Sequence, residues 1–265
     1  MLEILKTRIR QKHRTIAFPR ELPVMPDRFR GFPLLTPGKC PGACDKCADA
    51  CPSGACMADE HGNIKIDMGK CIFCGKCSSI CRSGAVSFTN DYRLASSKRE
   101  NCITSSANLP DLALPLPANL LKLYKRSFKI RVVSAGGCNA CESDVNVLST
   151  IVYDIGRFGI QYVASPRHAD ALLVIGPVTG NMELALEKTY KAIADPKIVI
   201  AVGACAISGG LFAGRSDECH GASAVVPVDY YIPGCPPHPV TILDGLLRIL
   251  HKIDGNEPER GRLYS

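Results

Sequence analysis

Fifteen cysteines in 265 residues constrain this chain more than any other feature of its sequence. Eight of them form two runs of four, about thirty residues apart: Cys40, Cys44, Cys47 and Cys51, then Cys71, Cys74, Cys77 and Cys81. The sequence shows no signal-peptide pattern, so we expect a cytoplasmic protein whose cysteines are reduced. Reduced cysteines in regular runs indicate metal ligands rather than disulfides.

The second run has the spacing C-x2-C-x2-C-x3-C. That spacing lets three thiolates reach one iron-sulfur cubane from a tight loop, while the fourth cysteine reaches another cluster. A pair of four-cysteine zinc sites is the alternative, because such sites also use C-x2-C pairs. The Cys51-Pro52 step and the small residues that follow favour the cubane.

Residues 31–95 resemble a two-cluster bacterial-type ferredoxin domain. The segments FRGFP, CPSGA and CIFCGKC are similar to the ferredoxin-like subunit of formate hydrogenlyase and complex I. The resemblance implies that Cys71, Cys74, Cys77 and Cys51 hold one [4Fe-4S] cluster and that Cys40, Cys44, Cys47 and Cys81 hold the other. Two departures are the longer Cys40–Cys44 spacing and Arg82, which stands where the family has proline; a cation there favours the reduced cluster.

The second half of the chain has a different pattern. Short β-branched runs bounded by Gly or Pro predict five strands, at 129–135, 159–165, 169–176, 197–203 and 225–232. Helical patterns are present at 182–194 and 239–252. Strands that alternate with helices predict an α/β fold with a parallel, doubly wound sheet.

Four more cysteines follow the predicted strands. Cys138 and Cys141 follow the first strand, Cys205 the fourth and Cys235 the fifth. The carboxyl ends of parallel strands meet at one sheet edge, so we expect these thiols to gather there around a third cubane. A single such cysteine is more commonly a small buried apolar residue. Four of them in loops above one edge favour ligands.

The same loops carry a second resemblance. GGCNACES, SPRHADALLVIGPVTGNM, VGACAISGG and VPVDYYIPGCPP are similar to the small subunit of energy-converting (group 4) [NiFe]-hydrogenases and to its complex I homologue. The resemblance implies a flavodoxin-like fold, with a [4Fe-4S] cluster on Cys138, Cys141, Cys205 and Cys235 that faces a catalytic large subunit. Complex I has adjacent first ligands, whereas Asn139 and Ala140 separate them here, as in the hydrogenase.

We predict five segments from these patterns: a basic arm and extended strap (1–30), the ferredoxin-like domain (31–95), a linker (96–117), the flavodoxin-like domain (118–252) and a tail (253–265). The first 30 residues hold eight Lys or Arg against three Asp or Glu. In this arm Leu2, Leu5, Ile9 and Ile16 share one helical face, which predicts a basic amphipathic helix. Such a helix either docks on its own domain or covers an anionic lipid surface or membrane-embedded partner.

Other residues are weaker candidates. Glu142 follows a predicted ligand, where it is either a proton relay or an ordinary surface carboxylate. Arg167 and His168 are predicted either to hydrogen-bond the cluster surroundings or a partner, or to anchor their loop. Cys56, Cys102 and Cys219 are predicted non-ligands, although Cys219 would replace Cys205 if Cys205 pointed inward.

We therefore expect an electron-transfer subunit with three [4Fe-4S] clusters in a group 4 [NiFe]-hydrogenase complex. Its expected partners are the large subunit, membrane-arm subunits and another iron-sulfur, formate dehydrogenase or CO dehydrogenase subunit. No catalytic residue, nucleic-acid surface or run of about 18 apolar residues is evident, so we expect peripheral attachment to the cytoplasmic face of the inner membrane. A quinone-reducing complex I branch and a nickel-free hydrogenase relative are the alternatives, together with a zinc-stabilised binding module.

Overall fold

The computed structural model describes residues 2–40, 44–58, 63–214 and 220–253. The arm begins with helix α1 (Leu2–Gln11), in which every side chain is exposed. Ile16 lies beyond this helix, so the prediction that it shares the helical face is wrong. Its backbone N–H instead donates to Val152 O at 2.9 Å, and its side chain packs against the core of the second half.

The cysteine-rich region contains two small antiparallel sheets and two short helices. Strands β1 (Pro33–Leu35) and β4 (Val86–Phe88) pair in one sheet; β2 (Cys56–Ala58), β3 (Ile64–Asp67) and β5 (Ile103–Ser105) form the other, in the order β2-β3-β5. Helices α2 (Lys46–Asp49) and α3 (Lys76–Ile80) lie thirty residues apart and contact each other. Strand β5 comes from the predicted linker, because residues 103–105 return to pair with β3.

The second half is the predicted α/β fold. Its helices and strands are α4 (Ala118–Tyr124), β6 (Phe128–Ser134), α5 (Ala140–Val147), β7 (Ile160–Tyr162), β8 (Ala171–Ile175), α6 (Gly180–Ala192), β9 (Ile198–Val202), α7 (Ala204–Ser208), β10 (Tyr230–Ile232) and α8 (Pro239–Ile249). All strand pairs in this sheet are parallel, in the order β10-β9-β8-β6-β7. This strand order is that of flavodoxin-like folds.

Both faces of the sheet are buried. In β8, Leu173 and Ile175 face the core layer that includes α5 and α8, while Leu172 and Val174 face the layer that includes α6 and α7. Side chains alternate between the two faces of a strand, so burial on both faces requires the continuous apolar run seen in β8.

The two halves are connected by direct contacts as well as by the chain. Ser96 and Tyr231 exchange two backbone hydrogen bonds of 2.9 Å at the outer edge of β10. Ser208 Oγ donates to Gly69 O at 2.9 Å. Within the first half, beside the segment that pairs with β10, Asp91 and Arg93 form a fully buried ion pair, with Arg93 Nη2 2.7 Å from Asp91 Oδ2. The hydrogen bonds of Ser96 and Ser208 hold the cysteine loops of the two halves near each other.

Candidate iron-sulfur sites

The first group of thiols shares one cavity of about 180 Å³ in the cysteine-rich region. Cys40, Cys44, Cys47 and Cys81 line it together with apolar residues such as Ile64 and Val86. Lys46 and Arg82 also line this cavity, and among the described lining residues they are the only charged ones. The structure thus brings together one of the two predicted sets of four.

The second group gathers around Cys71, which is buried. Burial, and to a smaller extent the nearby Cys77, Cys51 and Cys74 thiols, raise the pKa of Cys71 to about 12, against a hydrogen bond from the Phe73 N–H that lowers it. Cys74 is exposed at the rim. Cys51 comes from the first run and the other three from the second, which is the crossed arrangement that the resemblance implies.

A thirty-residue repeat positions the fourth cysteine of each run. Ala55 N–H donates to Cys51 Sγ at 3.2 Å, and Ala85 N–H donates to Cys81 Sγ at 3.3 Å. In the same turns Ser53 Oγ lies 3.7 Å from Cys51 Sγ, and Ser83 Oγ lies 3.4 Å from Cys81 Sγ. These donors stabilise the thiolate form and lower the pKa of both thiols against burial, which raises it.

Sequence reasoning missed these sulfur-directed donors. The sequence does contain a pattern that could have predicted them. The segments CPSGA (51–55) and CRSGA (81–85) are identical except at Pro52 and Arg82.

Cys56 contacts the second group without belonging to either predicted set. Its thiol is hydrogen-bonded to Cys77, and this contact lowers the pKa of Cys77 to about 7 while it raises that of Cys56. Of these two thiols, Cys77 is therefore the one that loses its proton more readily. This arrangement favours Cys77 as a metal ligand, because thiolates bind iron and thiols do not.

The third group lies at the carboxyl edge of the parallel sheet. Cys138 follows β6, Cys141 lies in the first turn of α5, Cys205 lies in α7 after β9, and Cys235 follows β10. Burial, and to a smaller extent the neighbouring Cys205, Cys235 and Cys138 thiols, raise the pKa of Cys141 to about 12. Four thiols from three separate loops therefore face one another.

Backbone conformation places the thiols of this third group. Asn139 has φ +68°, a left-handed turn that leads directly from Cys138 into α5. Gly203 has φ +89°, and a Cβ atom there would lie 2.7 Å from Cys141 Sγ. At Gly210 a Cβ atom would lie 2.9 Å from Cys205 Sγ. Glycine is thus required at both positions for the thiols to approach.

The weaker candidates fall in different places. Glu142 is half-buried and lines a small cavity with Cys138, Cys141 and Cys205. Arg167 and His168 are exposed in a turn before β8, at the amino edge of the sheet and opposite the cysteines. This position does not fit hydrogen bonds to the cluster surroundings, because a residue that precedes a parallel strand lies at the opposite edge from residues that follow one. Contact with a partner and loop anchoring stay predictions. Cys219 lies outside the described residues, and Cys205 faces the other three thiols.

The donor sets fit iron-sulfur clusters. All described cysteines are free, and each group combines thiols with close peptide N–H groups or glycines, which is the environment that cluster sulfurs require. Within the described ranges, no three His, Cys, Asp or Glu side chains are grouped closely enough for a single metal ion. A cubane is wider than a single ion and takes each thiolate at a different iron atom.

Fold and thiol groups define the class: an iron-sulfur protein with a ferredoxin-like region and a flavodoxin-like domain. Two family models match the chain, the "4Fe-4S binding domain" at residues 64–87 and "NADH ubiquinone oxidoreductase, 20 Kd subunit" at residues 138–249. The second match spans all three loops that carry the third group, and so it includes all four of its cysteines.

Relatives extend this assignment. Formate hydrogenlyase subunit 7 of Escherichia coli is 42% identical over 146 residues, or 55% of this chain and 57% of that protein. The probable membrane-bound hydrogenase subunit mbhJ of Pyrococcus furiosus is 42% identical over 136 residues, 51% of this chain and 81% of that protein. NAD(P)H-quinone oxidoreductase subunit K of Synechococcus sp. is 47% identical over 113 residues, 42% of this chain and 46% of that protein.

The chain belongs to the NADH ubiquinone oxidoreductase 20 kDa subunit family and carries a [4Fe-4S] binding domain before the family domain. Its matches to the Escherichia coli and Synechococcus proteins span only about half the length of each.

Proposed function

We propose that the chain is the electron-transfer subunit of a group 4 [NiFe]-hydrogenase complex and holds three [4Fe-4S] clusters. The proposed ligand sets are Cys40, Cys44, Cys47 and Cys81; Cys51, Cys71, Cys74 and Cys77; and Cys138, Cys141, Cys205 and Cys235. The clusters would supply reversible one-electron chemistry at low potential. The observation that carries the proposal is the third group, four thiols from three loops at the open edge of the family domain.

The position of the third group indicates where a catalytic partner would bind. Cys138 and Cys235 are exposed, and so is one end of the site that they form with Cys141 and Cys205. An exposed cluster edge allows electrons to leave for a centre in another subunit. We propose that this partner is the hydrogenase large subunit and that Glu142, in the same cavity as the thiols, faces it.

A complex I-like quinone oxidoreductase is the second candidate. The 47% identity to a quinone oxidoreductase subunit favours it. Against it stands the local structure at Asn139, where the left-handed turn separates Cys138 from Cys141. If the first two ligands were adjacent, as they are in complex I, the backbone between β6 and α5 would need a different conformation.

Helix α1 supports contact with a membrane or a membrane subunit. Leu2, Ile4, Leu5 and Ile9 are between 58% and 76% exposed, and Lys6, Arg8 and Arg10 lie on the same helix. No helix among the described residues is long and apolar enough to span a bilayer. We propose peripheral attachment on the cytoplasmic side, with α1 at the surface of anionic lipid or a membrane-arm subunit.

Cluster content is the first test. Anaerobically purified, fully reconstituted chain should contain about twelve iron and about twelve acid-labile sulfide atoms, with little zinc. A content near eight of each would leave one group without its cluster. High zinc with little sulfide would contradict the proposal.

Partner identity is the second test. The complex purified through a tag on this chain should contain stoichiometric nickel and exchange electrons between H2 and a low-potential dye. Stoichiometric quinone reduction without nickel would instead establish the second candidate. A hydrogenase-related complex with neither activity would identify the nickel-free alternative.

A further inference from the structure

The segment Phe29-Arg30-Gly31 lies between the second and third groups of thiols. Gly31 is pressed against the backbone of Asp91, where a Cβ atom would lie 2.1 Å from the Asp91 carbonyl oxygen. Its N–H donates to Thr89 O at 2.7 Å. These contacts fix the backbone at residue 31, and Phe29 and Arg30 extend from this fixed point.

Arg30 covers the loop that carries the second group. A Cβ atom on Gly75 would lie 2.6 Å from Arg30 Nε, 3.1 Å from its Cδ and 3.2 Å from its Cζ. Gly75 also has φ +76° and begins α3. The residue after Cys74 must therefore be glycine both for its backbone conformation and because the Arg30 side chain occupies the space above it.

Phe29 contacts the loop that carries the third group. Its ring packs edge-on against His238, with the centroids 5.6 Å apart. His238 is the N-cap of α8 and follows Cys235 by three residues. A cavity of about 260 Å³ separates the two cysteine loops, with Arg28, Arg30, Phe73, Asp144, Cys235 and His238 among its lining residues.

We propose that Arg30 is a positioning residue for electron transfer between the two halves, and that its positive charge raises the reduction potential of the cluster on Cys51, Cys71, Cys74 and Cys77. This inference rests on the proposed function. Reduction adds a negative charge to a cluster, and a nearby guanidinium stabilises that charge. A higher potential at this cluster draws electrons toward the side of the ferredoxin-like region that faces Cys235. Because Arg30 is exposed, salt weakens the effect.

The test is an EPR-monitored redox titration of the full chain, prepared anaerobically at low and at high ionic strength. Arg30→Gln removes the charge, Arg30→Lys keeps it, and Arg28→Gln makes the same charge change in the same cavity away from Gly75. We expect Arg30→Gln to shift one ferredoxin-type signal to a more negative midpoint potential, by less at high salt. Arg30→Lys should retain most of the wild-type potential, and Arg28→Gln should change it least. A Cys205→Ser background isolates the signals of the first two groups.

Several results would overturn the inference. Midpoint potentials unchanged in Arg30→Gln would do so, as would equal shifts in Arg30→Gln and Arg28→Gln. If Arg30→Gln lost the cluster, Arg30→Lys decides: cluster retention with a near-native potential supports the role of the charge, and loss there too rejects it. Wild-type protein without cubane signals would contradict the proposed function itself, which distinguishes the two failures.

Discussion

The two halves of this chain bring cysteines together in different ways. In the ferredoxin-like region two copies of a short turn and helix, thirty residues apart, each supply three nearby thiols and exchange the fourth. In the flavodoxin-like domain the proposed ligands come from positions as far apart as 138 and 235, and the parallel sheet brings them to one edge.

This difference has a physical consequence. The first two sites depend on the local spacing of their cysteines. They are surrounded by small sheets and loops, and they need only a small hydrophobic core to support them. The third site depends on a sheet buried on both faces by helices. We therefore expect substitutions at backbone and core positions to affect the third site more, and substitutions at sulfur-directed donors to affect the first two.

Removing a ligand from the third group should have the largest effect. Cys205→Ser should abolish one of three cubane EPR signals and leave the ferredoxin pair, because no described cysteine outside the group faces the same site. Cys102→Ser is the matched control: Cys102 is buried but outside all three groups, so all signals should remain. Cys219→Ser should also leave all three. A signal lost in Cys219→Ser would replace Cys205 in the ligand set.

Breaking the ion pair between Asp91 and Arg93 should have the next largest effect, a loss of folding stability. Asp91→Asn leaves the guanidinium of Arg93 buried beside a neutral amide, and such a loss costs about 3–5 kcal/mol. Unfolding in guanidinium chloride, followed by circular dichroism, measures this loss of stability. Glu187→Gln removes an exposed ion pair with Lys191 on α6 and should leave the midpoint unchanged. Equal effects would show that the buried pair stabilises the fold no more than the exposed pair does.

Glycine substitutions compare the backbone demands of the two regions. Gly203→Ala should destabilise by about 3 kcal/mol, because φ +89° and ψ 155° are a conformation for glycine and the new Cβ displaces Cys141. Gly84 has φ +65° and open space around the position of a Cβ atom. Gly84→Ala should therefore lower the free energy of unfolding by only about 1 kcal/mol. Unfolding midpoints measure both costs. A cluster signal changed only in Gly203→Ala would strengthen the contrast between the two regions. A greater loss of stability in Gly84→Ala than in Gly203→Ala would contradict it.

The smallest expected effect is on the sulfur-directed hydroxyls of the repeat. Ser83→Ala should lower the potential of the cluster that includes Cys81 by about 20 mV, equivalent to about 0.5 kcal/mol for one electron. Ser53→Ala should shift the other ferredoxin-type cluster by less, since its oxygen lies 3.7 Å rather than 3.4 Å from sulfur. Redox titration of both variants measures the shifts. The reverse order would show that Arg82 or Pro52, and not the hydroxyl, controls the difference.

The α/β region was largely predictable from the sequence. The predicted strand at 169–176 corresponds to Ala171–Ile175, and the predicted helix at 182–194 corresponds to Gly180–Ala192. The predicted strand at 225–232 is too long, because only Tyr230–Ile232 pairs with β9. Apolar runs identify buried strands well, but they do not mark where pairing begins.

The arm and the linker were less predictable. Periodicity placed Ile16 on the helix, yet the chain leaves the helix at Gln11 and bonds to residue 152, a contact between segments far apart in sequence. Residues 103–105 were assigned to a linker because their pairing partner, β3, lies about forty residues earlier. Local patterns carry no information about such distant partners.

By itself the sequence determined the types and spacing of the proposed ligands. Cysteine runs, the Cys51-Pro52 step and the order of strands and helices are local properties, and they suffice to propose three groups of four thiols. Only the tertiary structure decided that Arg30 covers Gly75 and that Phe29 reaches His238, and it placed Arg167 and His168 at the far edge of the sheet. These positions depend on how separate segments pack, which spacing along the chain does not encode.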